Sequence, residues 1–447
     1  MNNTSLCVFQ SDRGPGKSDP SALYFAGDFA LAEVTESKDP RELISDSIRE
    51  QIRDSDVAVI NYEGVTSSDG DPILKGGPVV EIDQACPRLL SDFGFDVVTL
   101  ANNHILDLGT EGLTQTVELC QKSGLKTVGV GDNRREALKP LRISTDSGVE
   151  ISIFNFSERP VHGYQIDKAG PSLAELTDPK LTKYITEERQ KSDMLIGVGH
   201  AGEIGTPIPP RQLQRRYRDL VDIGLDLVIG HHPHVPQGWE QYNDGMIFYS
   251  LGNFLFDYGQ GDRPKQNWGL TLRVSVDDIG LRSIEVIPIE TVDRRVSHLG
   301  RERDLDTSLK RLEQMSSVAS DEDRLSKMWL VIAEQLLIKR KSDYQVDSER
   351  FLNRMVWDSH RYTTETGLIK HATSVNVSDE IVEETLRMWS WTGNVPAQTT
   401  SSKLLEKTVH SIYQGPIRRI SKQTGIHERL RNSYRQVRSY LNKNAND

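Results

Sequence analysis

The sequence of 447 residues contains only three cysteines, Cys7, Cys86 and Cys120, and no Cys-x-x-Cys pair. So few cysteines exclude a disulfide framework, and their spacing excludes a zinc site built on thiolates. A reducing compartment therefore fits the sequence better than an oxidising one.

Long apolar runs are also missing. No run of about 18 apolar residues occurs, which excludes a conventional transmembrane helix. The first 20 residues are polar and lack the apolar core of a signal peptide. We therefore expect a cytoplasmic protein in which residues 1–20 form a flexible N-terminus.

Charge is unevenly distributed along the chain. Residues 403–447 contain ten Lys or Arg against three Asp or Glu, a net charge of +7, although the whole chain carries −11. The acidic body argues against specific nucleic-acid binding. The basic tail has apolar residues at three- and four-residue steps, which predicts an amphipathic helix. We expect this helix to dock on the acidic body, on a partner protein or on the anionic inner face of the cell membrane.

Residues 21–295 alternate short apolar runs with amphipathic segments, which predicts a layered α/β domain. The predicted strands cover residues 22–26, 57–61, 97–100, 126–130, 151–156, 194–199, 227–229, 246–250, 270–276 and 284–287, the last one stopped by Pro288. The predicted helices cover residues 41–54, 86–93, 110–123 and 210–223, and Gly124 and Gly224 follow the last two as left-handed caps. After residue 295 the strand signal disappears, so residues 296–447 are predicted to be a helical C-terminal region that ends in the basic tail.

Polar side chains cluster where the predicted strands end, which is the ligand-binding edge of an open α/β sheet. Carboxylate, imidazole and amide groups together form a ligand set suited to one or two ions of Mn, Zn or Fe. Because side chains alternate along an extended segment, His232 and His234 are expected on the same side, as a bidentate grip. Asp107 is interpreted as a cap of the next helix, and Asn253 either as a turn residue or as a substrate contact.

The order of these clusters resembles the CapA family of bacterial capsule and poly-γ-glutamate synthesis proteins, within the calcineurin-like metallophosphatases. The resemblance implies a β-sandwich flanked by helices (αββα) over residues 21–295. The matching stretches are Phe25–Asp28, Val59–Gly64, Gly94–His104, Asp107–Gly109, Gly129–Gly131, Gly199–Glu203, Gly230–Val235 and Tyr249–Phe254.

The resemblance also implies roles for individual residues. It makes His104 and Asn103 the catalytic pair, with water activated by the metal attacking phosphorus and His104 assisting the leaving oxygen. Implied metal ligands are Asp28, Glu63, Asn103, His200, His232 and His234, and supporting or substrate-contacting residues are His231, Glu203, Asn253 and Asn61.

Two departures from the superfamily pattern bear on activity. Ala30 stands where the first strand usually carries a histidine, and Glu63 stands where a bridging aspartate is usual. His231 is also an alternative to His232 as the histidine that follows Gly230. Glu203 either orients His200 or is simply exposed to solvent.

Two functions are therefore expected. The first is a metal-dependent phosphoesterase linked to capsule, poly-γ-glutamate or another cell-envelope polymer, with a phosphoester or polymer-related substrate. The second is an accessory subunit of a polymer-synthesis complex that uses the same fold for binding, with little or no catalysis.

Overall fold

A computed structural model describes residues 5–34, 40–66, 70–73, 77–158, 170–257, 268–299, 302–343 and 379–391. The basic tail, residues 403–447, lies outside the described residues, so its helix and its membrane contact stay predictions. The described residues divide into two compact units. The first contains those up to Ser320 except 77–78, and the second contains 77–78 and those from Asp321 onward.

The described part of the chain contains strands and helices in a mixed order. The strands are β1 (Leu6–Gln10), β2 (Ser21–Ala30), β3 (Val57–Tyr62), β4 (Val97–Thr99), β5 (Lys126–Val128), β6 (Val130–Gly131), β7 (Leu141–Ser144), β8 (Glu150–Ser157), β9 (Ser172–Leu173), β10 (Met194–His200), β11 (Leu227–His231), β12 (Trp239–Tyr242), β13 (Gly245–Phe248), β14 (Asn253–Phe256), β15 (Trp268–Asp277), β16 (Gly280–Val292) and β17 (Arg295–His298). The helices are α1 (Asp46–Arg53), α2 (Cys86–Phe93), α3 (Gly109–Lys122), α4 (Arg134–Ala137), α5 (Lys180–Glu188), α6 (Arg211–Ile223), α7 (Glu302–Ser320), α8 (Glu322–Asp343) and α9 (Asp379–Ser390), with a short 3₁₀ turn at Pro40–Leu43.

Two large sheets contain most of the strands of the first unit. The nine-stranded sheet has the order β1-β16-β15-β2-β3-β4-β5, with β14 beside β2 and β17 beside β16. The six-stranded sheet has the order β12-β13-β11-β10-β8-β7. Within them β2 to β5 run parallel to one another, as do β8, β10, β11 and β13, so many strands end at the same edge.

Both faces of these sheets are buried. One face of the first sheet packs on α1, α2 and α3, through residues such as Ala58 and Ile60. One face of the second packs on α5 and α6, through residues such as Val228. Residues at alternate positions, such as Val59 and Val198, are equally buried but do not belong to the apolar clusters that pack on these helices. Their side chains therefore lie on the opposite faces of the sheets.

Side-chain bonds connect the two sheets directly. Ser21 on β2 donates to Thr145, just after β7, at 2.9 Å, and the amide of Ala101 donates to Asn155 on β8 at 2.6 Å. The two sheets are therefore stacked between helical layers. This confirms the predicted layered α/β sandwich.

Each strand and helix predicted for residues 21–295 overlaps an observed one, although the bounds differ. One correction concerns Pro288, which was expected to end a strand, whereas β16 continues through it to Val292. The carbonyl of Pro288 accepts a bond from Leu299, so its nitrogen faces the same side. On that side β1 pairs only as far as Val286 and β17 pairs from Ile289, so the missing N–H costs no ladder bond.

The N-terminus also differs from expectation. Residues 1–20 were predicted to be flexible, but β1 adds to the sheet beside β16. The following loop binds the turn between β15 and β16, because the amides of Gly16 and Lys17 donate to the carboxylates of Asp277 and Asp278 at 2.9 and 2.7 Å. A segment of weak sequence pattern is thus ordered by backbone bonds to acidic side chains.

Helices follow the sandwich in the chain. In the first unit α7 packs on β12, where the hydroxyl of Ser316 accepts a bond from the amide of Trp239 at 3.0 Å. In the second unit Asp321 caps α8 by accepting from the amide of Arg324 at 3.0 Å. Across the described residues, no helix combines the length and apolar character needed to cross a membrane.

Gly27 brings β2 and the start of β14 into close contact. The amide of Asp28 donates to Gly252 O at 2.9 Å, and a Cβ on Gly27 would lie 2.1 Å from that same oxygen. We therefore expect Gly27→Ala to lower the free energy of unfolding by about 1–3 kcal/mol, since the backbone must move. Urea denaturation measures this, with Gly14→Ala as the control because nothing lies within 4 Å of a Cβ there. Equal stability of the two variants would contradict the close approach.

Candidate metal centre

The polar side chains singled out in the sequence converge where the two sheets end. From the first sheet, Asp28 near the end of β2 is in register with Asn61 near the end of β3, and Glu63 follows β3 directly. In the second sheet, His200 ends β10 and pairs in register with His231, which ends β11. Parallel strands that end together thus bring these side chains to one edge.

Glu63 lies at the middle of this cluster. Its side chain is fully buried, and neither carboxylate oxygen has a hydrogen bond. Three imidazoles approach Oε1 through their Nε2 atoms, those of His200 at 3.3 Å, His234 at 3.5 Å and His104 at 3.9 Å. A buried carboxylate without hydrogen bonds is costly unless a cation balances it.

His200 is fixed by amide side chains on both ring nitrogens. Asn61 Nδ2 lies 3.2 Å from His200 Nδ1, and Asn103 Oδ1 lies 2.7 Å from His200 Nε2. His232 Nδ1 is 3.1 Å from the same Nε2 atom. Asn61 is itself held by Thr99, whose hydroxyl donates to its Oδ1 at 3.0 Å. The second sheet thus places His200 against both Asn103 and His232.

Asp28 binds four partners through its two oxygens. Oδ1 accepts from Asn61 Nδ2 at 2.9 Å and lies 2.8 Å from His231 Nδ1. Oδ2 accepts from the backbone amide of His232 at 3.3 Å and lies 3.4 Å from His234 Nδ1. His234 Nδ1 is also 3.0 Å from Asn253 Oδ1. Asn253, the first residue of β14, therefore contacts a histidine of the cluster.

The donors fall into two sets that share Glu63. One set is Glu63, His200 and His232, and the other is Asp28, Glu63 and His234. Within each set one ligand atom per residue lies within 4.8 Å of the others. Imidazole nitrogen and carboxylate oxygen suit divalent Zn, Mn or Fe, and Asn103 adds an amide oxygen beside the first set. The residues present therefore fit a divalent cation, because Glu63 has no hydrogen bond and its Oε1 faces imidazoles from both sets.

The His232–His234 segment differs from the extended geometry predicted for it. Strand β11 ends at His231, and the backbone φ angles of His232 and His234 are 96° and 58°. Such left-handed angles cost about 1–3 kcal/mol for residues other than glycine. The turn directs the two imidazoles into different donor sets, so they are not a bidentate grip on one ion.

Asp107 has a contact that the sequence interpretation missed. Its Oδ2 lies 2.8 Å from His104 Nδ1, so this ring nitrogen is held away from the cluster while Nε2 faces Glu63. A histidine followed three residues later by an aspartate is the signal that could have indicated the pair. Asn102 supports the same turn, because its Oδ1 accepts from the amide of His104 at 2.9 Å.

Glu203 was expected either to orient His200 or to be solvent-exposed. It is half-buried in the loop after β10, and its carbonyl oxygen accepts from the Thr206 hydroxyl at 2.9 Å. His200 Nδ1 lies 3.2 Å from Asn61 Nδ2, so Asn61 orients the His200 ring.

The protonation behaviour of the cluster follows from burial. Burial raises the pKa of Glu63 to about 7, despite the nearby histidines. Burial lowers the pKa of His200 well below its ordinary value. For Asp28 burial acts upward, but hydrogen bonds from His231 and His234 outweigh it and hold its pKa well below the ordinary value. For His234 burial acts downward, yet the charge of Glu63 and the bond to Asp28 raise its pKa to about 9.

The sequence profile of the bacterial capsule synthesis protein PGA_cap family matches residues 22–258, more than half of the chain. The chain belongs to this family. The matched region starts in β2 and extends just past β14, so it contains every side chain of the cluster described above.

Individual relatives are similar over about half of the chain. The capsule biosynthesis protein CapA of Bacillus anthracis is 31% identical over 45% of this chain and 49% of its own length. The PGA biosynthesis protein CapA of Bacillus subtilis is 30% identical over 54% of this chain and 64% of its own length. A probable polyglutamine synthesis accessory protein of Mycobacterium tuberculosis is 28% identical over 46% of this chain and 56% of its own length. The chain thus spans less than two thirds of these relatives.

Among solved structures, a similarity is found to the calcineurin-like phosphoesterase YfkN of Bacillus subtilis. It is 11% identical, covers 66% of this chain and 97% of its own, and has a TM-score of 0.34.

Metal binding to this cluster is expected to strengthen as pH rises from about 6 to about 9. A proton on Glu63 below pH about 7, or on His234 below pH about 9, competes with a cation for the same atoms, so binding must release protons. Titration calorimetry with Mn²⁺ in buffers of different ionisation enthalpy measures both affinity and proton release. An affinity that is constant over this pH range would contradict the assignment of these two groups as ligands.

Proposed function

We propose that this PGA_cap family protein is a metal-dependent hydrolase of the phosphoesterase type that acts in the synthesis of capsule, poly-γ-glutamate or another envelope polymer. The observation that carries the proposal is the buried Glu63 carboxylate, which has no hydrogen bond and is shared by two sets of metal-ligating side chains. The family membership and the names of the CapA relatives support the link to polymer synthesis.

The ligands divide naturally between two ions. Glu63, His200 and His232, with the amide oxygen of Asn103, would hold one, and Asp28, Glu63 and His234 would hold the other. A divalent ion, when bound, supplies positive charge for the substrate anion and lowers the pKa of water.

The charge of the site supports this dependence on metal. The strand-end segments 28–34, 61–66, 100–109, 200–206, 231–237 and 250–256 contain no Lys or Arg. Asp28 and Glu63 would repel a phosphate ester in the absence of cations. Within these six segments, binding of an anion therefore relies on ions held by the cluster and on its histidines.

His104 is proposed as the group that moves a proton at the leaving oxygen. Asp107 holds Nδ1, so Nε2 is the nitrogen that faces the cluster. A protonated imidazole in this position donates from Nε2, and the Asp107 carboxylate stabilises the positive ring. Asn103 precedes it in the chain and orients His200 at 2.7 Å.

A second candidate function is that of an accessory binding subunit with little or no catalysis. Two observations favour it. Ala30 is fully buried near the Asp28 set, which leaves that set with a single imidazole, and one relative is named as an accessory protein. This candidate differs from the first in that metal, if bound, does not support turnover.

Metal content is expected to separate the two donor sets. Protein purified without chelator should contain divalent Mn, Zn or Fe, and His232→Ala or His234→Ala should each lose about one ion, because they serve different sets. Glu63→Gln should lower both, since the carboxylate is shared. Elemental analysis by mass spectrometry gives the ratio of ions to protein, with circular dichroism as the folding control. Unchanged metal content in the His232→Ala/His234→Ala double variant would remove these residues from the site.

His104→Ala is expected to retain metal but to lose hydrolysis of an aryl phosphate by about a hundredfold or more, the usual cost of removing a general acid. Asp107→Asn should lose less, because it leaves the imidazole in place. Turnover of p-nitrophenyl phosphate with Mn²⁺ measures this. A wild-type protein that holds metal and shows no turnover favours the accessory function, whereas full activity of His104→Ala assigns the acid role to another group.

A further inference from the structure

We propose that His231 is a positioning residue that orients the Asp28 carboxylate for the metal, and so supports the donor set that has Ala30 in place of a further histidine. This inference rests on the proposed metal centre. It assigns to His231 no ligand bond of its own, but a hydrogen bond that decides which oxygen of Asp28 faces the ion.

The two carboxylate oxygens of Asp28 have different partners. Oδ1 receives two side-chain partners, Asn61 Nδ2 at 2.9 Å and His231 Nδ1 at 2.8 Å. A carboxylate oxygen offers about two lone-pair directions, so these partners occupy Oδ1. Oδ2 has a long 3.3 Å contact from the amide of His232 and lies 3.4 Å from Nδ1 of His234, which is itself a candidate ligand of the same set. Oδ2 is therefore the oxygen that remains for a cation.

His231 is held in place by the second sheet. It is the last residue of β11 and pairs in register with His200 on β10, and its carbonyl accepts from the amide of Ala201 at 3.1 Å. Its side chain is 3% exposed. Because Asp28 belongs to the other sheet, the His231–Asp28 bond links the two sheets at the site. His232 and His234, by contrast, lie in a turn with left-handed backbone angles.

The two donor sets differ in the number of imidazoles that they contain. The Glu63, His200 and His232 set has two imidazoles, whereas the Asp28, Glu63 and His234 set has one. Ala30 cannot supply another, and its methyl group is packed in the apolar core that also contains Phe29 and Leu31. A set with fewer nitrogen ligands depends more on the orientation of its carboxylates, and groups that orient ligands commonly change metal affinity by about 10- to 100-fold.

The test compares His231→Asn with His231→Leu in the full chain. Asparagine carries Nδ2 one bond beyond Cγ, as histidine carries Nδ1, so it can still donate to Asp28 Oδ1, whereas leucine fills the space without a donor. His298→Leu is the matched control, because His298 is a partly buried histidine on β17 whose Nε2 contacts Gln51 rather than the strand-end cluster. Titration calorimetry with Mn²⁺ measures both binding steps, and thermal unfolding of the metal-free proteins measures folding.

We expect the wild type to bind two Mn²⁺ ions. In His231→Leu the affinity for one ion should fall by about 10- to 100-fold, whereas the affinity for the other should stay the same. His231→Asn should restore most of the loss, and His298→Leu should match the wild type in metal binding. The selective loss of one ion separates positioning from a general structural role, which would weaken both ions together with thermal stability.

Three results would overturn the inference while leaving the metal centre intact. If His231→Leu keeps both ions, the bond to Asp28 has no influence on binding. If His231→Asn loses as much as His231→Leu, the imidazole itself is required as a ligand. If both ions weaken together in His231→Leu, the role is structural. A wild type that binds no Mn²⁺, Zn²⁺ or Fe²⁺ would overturn the proposed function and this inference with it.

Discussion

The arrangement of the site depends on one unbalanced charge, the Glu63 carboxylate. It is buried at the edge where two sheets end, it has no hydrogen bond, and three imidazole Nε2 atoms lie within 3.9 Å of its Oε1. In a protein interior such a group is stable only if it is protonated or paired with positive charge. His234, whose pKa is raised to about 9, provides positive charge beside Glu63, and a divalent ion would provide more.

The two stacked sheets make this arrangement possible. The first sheet contributes acids and amides, with Asp28 and Asn61 in register on neighbouring strands. The second contributes histidines, with His200 and His231 in register. Each sheet supplies only part of a ligand set, so the pairing of carboxylate with imidazole exists only where the sheets meet. The Asn61–His200 and Asp28–His231 contacts connect the sheets at that edge.

Membership of the PGA_cap family and the geometry of the site address different questions. The family relation connects the chain with proteins named for capsule biosynthesis, PGA biosynthesis and polyglutamine synthesis, over less than two thirds of their length. The geometry concerns chemistry, and it supports binding of divalent ions through Glu63 and the two donor sets that share it. A glutamate at the shared position reaches further than an aspartate, which agrees with contacts to imidazoles of both donor sets.

The sequence by itself determined the layered α/β class, most strand positions and the identity of the polar residues at strand ends, because short apolar runs, glycine caps and polar strand ends are local signals. Tertiary structure decided the rest. The turn at His232 and His234 directs their imidazoles into different donor sets instead of to one side. Pro288 is tolerated in β16 because the partner strands β1 and β17 leave a gap beside it. Asp107 contacts His104 and does not act as a simple helix cap. The division of histidines between two sets also depends on contacts between residues far apart in the chain, and no local pattern contains that information.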